Sequence, residues 1–321
     1  MEQTFRWTFL LQLSDNRWGD TFENRKYWHL PPHRFCDENK VDASLWDELI
    51  PFLKERRYNT LIIDLGDGLR YDTHPEISAP DAWSKEFLIE KLAVLRENGI
   101  EPVPMLNFSS RRCAWMRRYS RMVGSELFAA VCADLIGEVA ALFGNRGLFH
   151  LGLDGETAAD AMAQGVLSIR NPKIFWRDAA ALFACCAENG MRPWIWADKF
   201  WEDPQGFAAN VPKEVLVSNR YYEGYGSFPA GSAPAQQIAA FEALDALGYH
   251  QIPACSSSRF GFAADNPLQT LFHCKEKLSE ALLEGYVTIP HAPTHRTDEF
   301  YLKNDAHTLF EARRQVYPES L

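Results

Sequence analysis

Short apolar runs alternate with longer amphipathic stretches from one end of the chain to the other, the pattern of repeated strand–helix units around a parallel sheet. The first strand is predicted over "WTFLLQLS" (7–14). A helix follows in "DASLWDELIPFLKERR", with Asp42 or Ser44 as its N-cap. "NTLIIDLG" is the second strand, and the helix "SKEFLIEKLAVLRENG" runs to Gly99, where a helix-ending glycine is expected. The third pair is "EPVPMLNFS" with "SELFAAVCADLIGEVAALFG", and the fourth is "LFHLGLDGE" with "NPKIFWRDAAALFACCAENG". Strand five, "RPWIWADKF", precedes a short "DPQGFAANVP" segment, and strand six, "EVLVSNRYY", precedes "PAQQIAAFEALDALG". Strand seven, "HQIPACSSS", leads into "NPLQTLFHCKEKLSEALLEG". Strand eight, "YVTIPHA", leads into a last helix near "NDAHTLFEARRQVY".

Eight such pairs in 321 residues fit the α/β class as a single (β/α)8 barrel domain over 1–321. A doubly wound sheet would usually carry a glycine-rich phosphate loop after an early strand, and "LGDGLR" does not have the G-x-G-x-x-G spacing. No linker divides the chain into two regimes of composition. The Gly/Ser/Pro-rich "EGYGSFPAGSAPA" (223–235) reads as a long loop at the face where barrels keep their sites.

Composition narrows the function classes. With 46% hydrophobic, 13% aromatic and 24% charged residues, the chain is that of a folded globular protein. A net charge of -10 argues against gripping a phosphate backbone, so no nucleic-acid partner is expected. The one basic run, "RRCAWMRRYSR" (111–121), is expected to be a solvated face rather than an anion grip. Seven cysteines (Cys36, Cys113, Cys132, Cys185, Cys186, Cys255 and Cys274) are scattered, without C-x-x-C spacing, and read as reduced thiols. No apolar run is long enough for a secretory segment or a membrane span, so a cytoplasmic setting is the expectation.

Barrel enzymes place their chemistry at the C-terminal ends of the strands. Polar residues collect there: Asp64, Asp67, Arg70, Asp72, His74 and Glu76 after strand two, Asn107 after strand three, and Asp154 with Glu156 after strand four. Asp198 follows strand five, Asn219, Arg220 and Tyr221 follow strand six, and His291 ends strand eight. Strand alternation sends His150, Gly152, Asp154 and, if the strand persists, Glu156 toward the axis, and likewise Trp194, Trp196 and Asp198. Two tryptophans above a carboxylate suit the apolar face of a sugar ring, although inward tryptophans equally serve to fill a barrel. His150 reads as a core histidine orienting a carboxylate, and Asp64 as a buried acid paired with Arg17 or Arg70. Two acids at one strand end repel, which suits an acid/base pair.

"FHLGLDGE" resembles the H-x-G-x-D-E signature of family-20 glycoside hydrolases, the β-N-acetylhexosaminidases, and "LGDGLRYDTHPEI" and "RPWIWADKFW" are similar to stretches of related bacterial barrels. No counterpart of the accessory N-terminal domain common in that family is expected in 1–321. The resemblance implies that Asp154 orients a substrate acetamido group whose carbonyl oxygen is the nucleophile. The next residue in the family is a glutamate that protonates the leaving oxygen, and here that position is Gly155. One reading is therefore a glycosidase with Glu156 as proton donor, Asp154 as orienting carboxylate and Asp198 as a second carboxylate. Trp194, Trp196 and Tyr221 would then line the sugar subsites, with Arg17, Asp67, Asn107, His150 and His291 as further substrate contacts and no cofactor. The other is a saccharide-binding barrel that keeps the pocket without the chemistry. A metal-dependent barrel using His74, His150 and His291 is a third, but no H-x-H or H-E-x-x-H spacing is present and no metal is expected.

Overall fold

Leu10 of the first strand, β1 (Arg6–Gln12), packs among residues at the centre of a barrel, while its neighbours Trp7, Phe9 and Leu11 pack in the layer between strands and helices. This alternation sorts every strand. In the computed structural model, which describes residues 5–14, 16, 38, 41–156, 170–257 and 261–321, the other strands are β2 (Thr60–Asp64), β3 (Glu101–Met105), β4 (Leu148–His150), β5 (Arg192–Trp196), β6 (Leu216–Ser218), β7 (Ala254–Cys255) and β8 (Gly285–Thr288). They form one parallel sheet in the order β6-β5-β4-β3-β2-β1-β8-β7. Single bridges, Val217 to Gln251 and Arg220 to Ala254, span the remaining gap between β6 and β7 and bring the sheet nearly to closure as the expected α/β barrel.

The helices outside it are α1 (Ala43–Glu55), α2 (Lys85–Glu97), α3 (Glu126–Phe143), α4 (Pro172–Glu188), the short α5 (Asp198–Glu202) and α6 (Pro204–Asn210), α7 (Ala233–Ala246), α8 (Asn266–Lys277) and α9 (Glu299–Val316). Their starts follow the capping rule. Asp42, Ser84, Ser125 and Asn171 each accept the backbone N–H three residues on, satisfying a donor that the first helical turn leaves open. Gly144 ends α3 in the left-handed region at φ 96°, a conformation that costs glycine little.

Two cores result. The larger lies between strands and helices, and a smaller one fills the barrel with Leu10, Ile62, Val103, Met105, Leu148, Trp194, Trp196 and the facing residues of β6 to β8. At the N-terminal face the buried Glu284 accepts from Arg6 Nη1 at 2.9 Å and Arg192 Nη1 at 2.7 Å, with His250 Nδ1 at 2.9 Å. That carboxylate ties the starts of β1, β5 and β8 together.

The observed strands are shorter than the pattern predicts, because a ladder stops where the backbone turns into a site loop. β5 stops at Trp196, and the "DKFWE" that prolongs its apolar pattern winds into α5. Cys113, Cys132, Cys185, Cys186, Cys255 and Cys274 are free thiols, and Cys36 lies outside the described residues. Among the described residues, no helix is long and apolar enough to cross a membrane.

Candidate active site

β4 supplies only three ladder residues before the chain leaves extended geometry. Gly152, Leu153 and Gly155 all have positive φ, at 71°, 65° and 66°. Regular alternation therefore does not persist: Leu151 and Gly152 still bond to β5, but from Gly152 on the backbone leaves extended geometry, and Glu156, expected toward the axis if the strand persisted, does not line the cavity. Leu153 in the left-handed region is strained for a residue with a branched side chain, and such strain persists only where surrounding contacts over-determine it. Here those contacts come from the loop after β3. Ser109 Oγ donates to the Asp154 carbonyl, Phe108 N–H to the Leu151 carbonyl at 3.1 Å, and Ser110 N–H to Glu156 Oε1 at 2.6 Å.

The turn delivers Asp154 to the barrel mouth. Asn107 Nδ2 donates to Asp154 Oδ1 at 2.7 Å, and Arg112 Nε lies 2.8 Å from Oδ2. Asn107 cannot present its other end, because its Oδ1 already accepts from Ser109 N–H at 3.1 Å. Gly152 is required beside it: a Cβ there would lie 2.1 Å from Asn107 Oδ1. The cavity that Asp154 faces measures about 30 Å³, room for a water or two, and is lined by Leu10, Asp64, Met105, Asn107, Arg112, Trp196, Arg220, Tyr222, Ile289 and His291 besides Asp154. His291 holds φ 50° and packs edge-on to Tyr222. A larger groove of about 400 Å³ opens at the opposite face around Arg6, Asn59 and Arg96 and contains none of these residues.

Glu156 and Asp198 are placed differently from Asp154. Glu156 is absent from the cavity lining. Arg170 Nη2 and Ser110 N–H hold its Oε1, and the side chains of the Glu156–Arg170 pair are each only 3% exposed. Arg170 also donates to Asp178 on α4 at 3.3 Å, so the pair fastens the end of the turn to that helix. Asp198 is wholly buried at the start of α5. It accepts from Arg220 through both Nε, at 2.9 Å, and Nη2, and from Gly155 N–H at 3.0 Å. Burial works against the Arg220 charge, and the Asp198 carboxylate overrides it, raising the guanidinium well above its ordinary value.

The remaining predicted contacts divide. Asn107, Trp196 and His291 line the cavity. Trp194 lies deeper, fully buried, with its indole N–H on Ser218 Oγ at 2.9 Å, and so fills the barrel. His150 sits between the two tryptophans, with ring centroids at 5.0 and 4.5 Å, and its Nδ1 accepts from Gly152 N–H at 3.0 Å. Burial pushes its pKa down to about 3, so the ring is a neutral acceptor. Asp67 accepts from Ser14 Oγ and, at 2.6 Å, from Asn16 Nδ2, tethering the loop after β1. Tyr221 faces the outer core, and its neighbour Tyr222 is the tyrosine at the mouth. Arg17 lies outside the described residues.

The lining also holds Asp64 and Arg220, which the sequence places at strand ends without a substrate role, and Arg112 and Tyr222, which sequence reasoning does not single out. Parity from Leu216 through Ser218 and Arg220 points to Tyr222, a signal present in the sequence. Arg112 comes from the basic run expected to be solvated. Among the described residues, no group of three or more His, Cys, Asp or Glu is placed to hold a metal ion.

No family model matches the sequence, and no curated protein matches it in sequence. Solved structures do match in fold. A β-N-acetylhexosaminidase from Bacteroides fragilis superposes at a TM-score of 0.60 with 11% identity, covering 98% of this chain and 71% of that one. A chitobiase from Flavobacterium johnsoniae gives 0.63 with 15% identity over 99% of this chain and 52% of its own, so the present chain spans about half of that protein. In fold, this chain is similar to the barrel of family-20 glycoside hydrolases. A Streptomyces plicatus β-hexosaminidase solved with its product GlcNAc shares that barrel at 0.61, with 14% identity over 96% of this chain and 64% of that one. In this chain the segment that carries Asp154 follows the fourth strand, at the C-terminal face of the barrel.

Proposed function

We propose that the chain is a glycoside hydrolase-like enzyme of the cell interior that takes an N-acetylhexosaminide at its barrel mouth, with Asp154 orienting the acetamido group. The observation that carries this reading is the fixing of Asp154. Asn107 and Arg112 address its two oxygens, and the carboxylate is set on a cavity with Trp196 and Tyr222 as aromatic walls. The Asn107 contact on Oδ1 keeps the carboxylate oriented for an amide N–H, which lowers the ordering cost of binding, while Arg112 covers Oδ2 until a ligand displaces it. The names of the structural neighbours, hexosaminidases and a chitobiase, support the same substrate class. A cavity of about 30 Å³ does not hold a pyranose, so the mouth must widen. Arg112 is the long side chain placed to swing aside.

Calorimetry with GlcNAc and with glucose, together with aryl N-acetylhexosaminides as substrates, tests the proposal. GlcNAc binding without glucose binding, and chromophore release that falls in Asp154→Asn, are expected. Glucose binding as well as GlcNAc, or turnover indifferent to Asp154→Asn, removes the acetamido role. A second reading, saccharide binding without turnover, is favoured by the burial of Glu156 against Arg170, which takes away the donor nearest to Asp154 in sequence. GlcNAc binding with no turnover of any glycoside selects it.

A further inference from the structure

Two carboxylates, Asp64 and Asp154, line the mouth cavity. We infer that Asp64 is the proton donor of the glycosidic cleavage proposed above, an assignment that rests on that reading. Asp64 ends the inward series Thr60, Ile62, Asp64 of β2 and is buried at its C-terminal end, level with Gln12 of β1 and Met105 of β3. β3 alone separates β2 from β4. Asp64 reaches the cavity from the β2 side and Asp154 from the segment that follows β4, so a group seated in that one cavity lies between the two carboxylates. Glu156 and Asp198 do not line the cavity.

In the step so assigned, the Asp64 carboxyl proton passes to the glycosidic oxygen as the C1–O bond breaks, and the electron pair of that bond leaves with the oxygen. The acetamido carbonyl oxygen, oriented by Asp154, forms the new bond to C1. Water then attacks C1, the ring bond to the carbonyl oxygen opens, and the proton that water loses returns to the Asp64 carboxylate.

The test compares leaving groups in wild type, Asp64→Asn and Glu156→Gln. An acid matters most where the leaving oxygen is basic, and general acid catalysis is worth roughly 10²–10⁴-fold. Asp64→Asn is expected to lose turnover of an alkyl N-acetylglucosaminide by about that factor while losing less than about tenfold on the 2,4-dinitrophenyl glycoside, and to bind GlcNAc as wild type does. Glu156→Gln is expected to keep the wild-type dependence on leaving group. Equal loss on both substrates in Asp64→Asn, no loss on either, or the leaving-group signature in Glu156→Gln instead overturns the assignment alone. Wild type that cleaves neither substrate overturns the reading beneath it, and the assignment falls with it.

Discussion

Arg112 Nε stands 2.8 Å from Asp154 Oδ2, so the residue proposed to meet the ligand already holds a cation. A sugar amide must compete with that guanidinium for the carboxylate. Shortening the competitor in Arg112→Ala is expected to tighten GlcNAc binding several-fold. Asp154→Asn, which removes a charged acceptor worth about 1.5–3 kcal/mol, is expected to weaken binding roughly ten- to a hundredfold. Calorimetry on the two variants checks both directions, and weaker binding in Arg112→Ala would make the arginine a ligand contact instead.

The Glu156–Arg170 pair is a buried structural tie. Removing one partner strands the other charge in the interior, which costs about 3–5 kcal/mol. Glu156→Leu and Arg170→Met should each lower urea stability by about that amount, and the double variant should lose clearly less than the sum. Additive losses would mean that the two side chains are not coupled in the folded protein.

Gly152 is confined by its own backbone and by Asn107. Alanine there must hold φ 71° and also push aside the amide that orients Asp154. The left-handed conformation alone costs about 1–2 kcal/mol. Gly152→Ala is expected to lose at least that much stability, and its GlcNAc affinity should fall toward that of Asp154→Asn. An alanine variant with normal binding would show that the Asn107–Asp154 contact does not matter to the ligand.

His150 makes stability depend on acid. Folded, its ring stays neutral down to about pH 3; unfolded, it takes a proton below about 6.5. Between those values the unfolded chain binds the extra proton, so stability falls as the pH drops through the window, by up to about 1.4 kcal/mol per unit from this residue. His150→Gln should remove that component. Between pH 7 and pH 4.5 the wild type is expected to lose about 2.5 kcal/mol more than the variant in urea titrations, and parallel losses would show that His150 is not the linked group.

The eight strand–helix pairs were legible because burial on the barrel and helix-facing sides leaves a strong apolar pattern in "WTFLLQLS", "NTLIIDLG" and "RPWIWADKF". Where the ladder stops was less legible. "LFHLGLDGE" alternates as a strand would, but its glycines license positive φ, and contacts from the loop after β3, distant in sequence, decide that the chain turns. Asp154, Asn107, Trp196 and His291 could be placed at the mouth from strand ends alone. Tyr222 was within reach of parity. Arg112 was not, since nothing in a run of arginines tells which one folds inward against a carboxylate.

The clamp on Glu284 lies at the end of the barrel away from the mouth and engages none of the residues around Asp154. Closure of the scaffold is thereby divided from whatever the mouth recognises, and the two can accumulate substitutions separately. A lineage built on this chain can exchange arginines and acids around Asp154 while the stitch on Glu284 keeps the strands in register. That freedom suits a barrel that shares its shape with hexosaminidases at 11–15% identity.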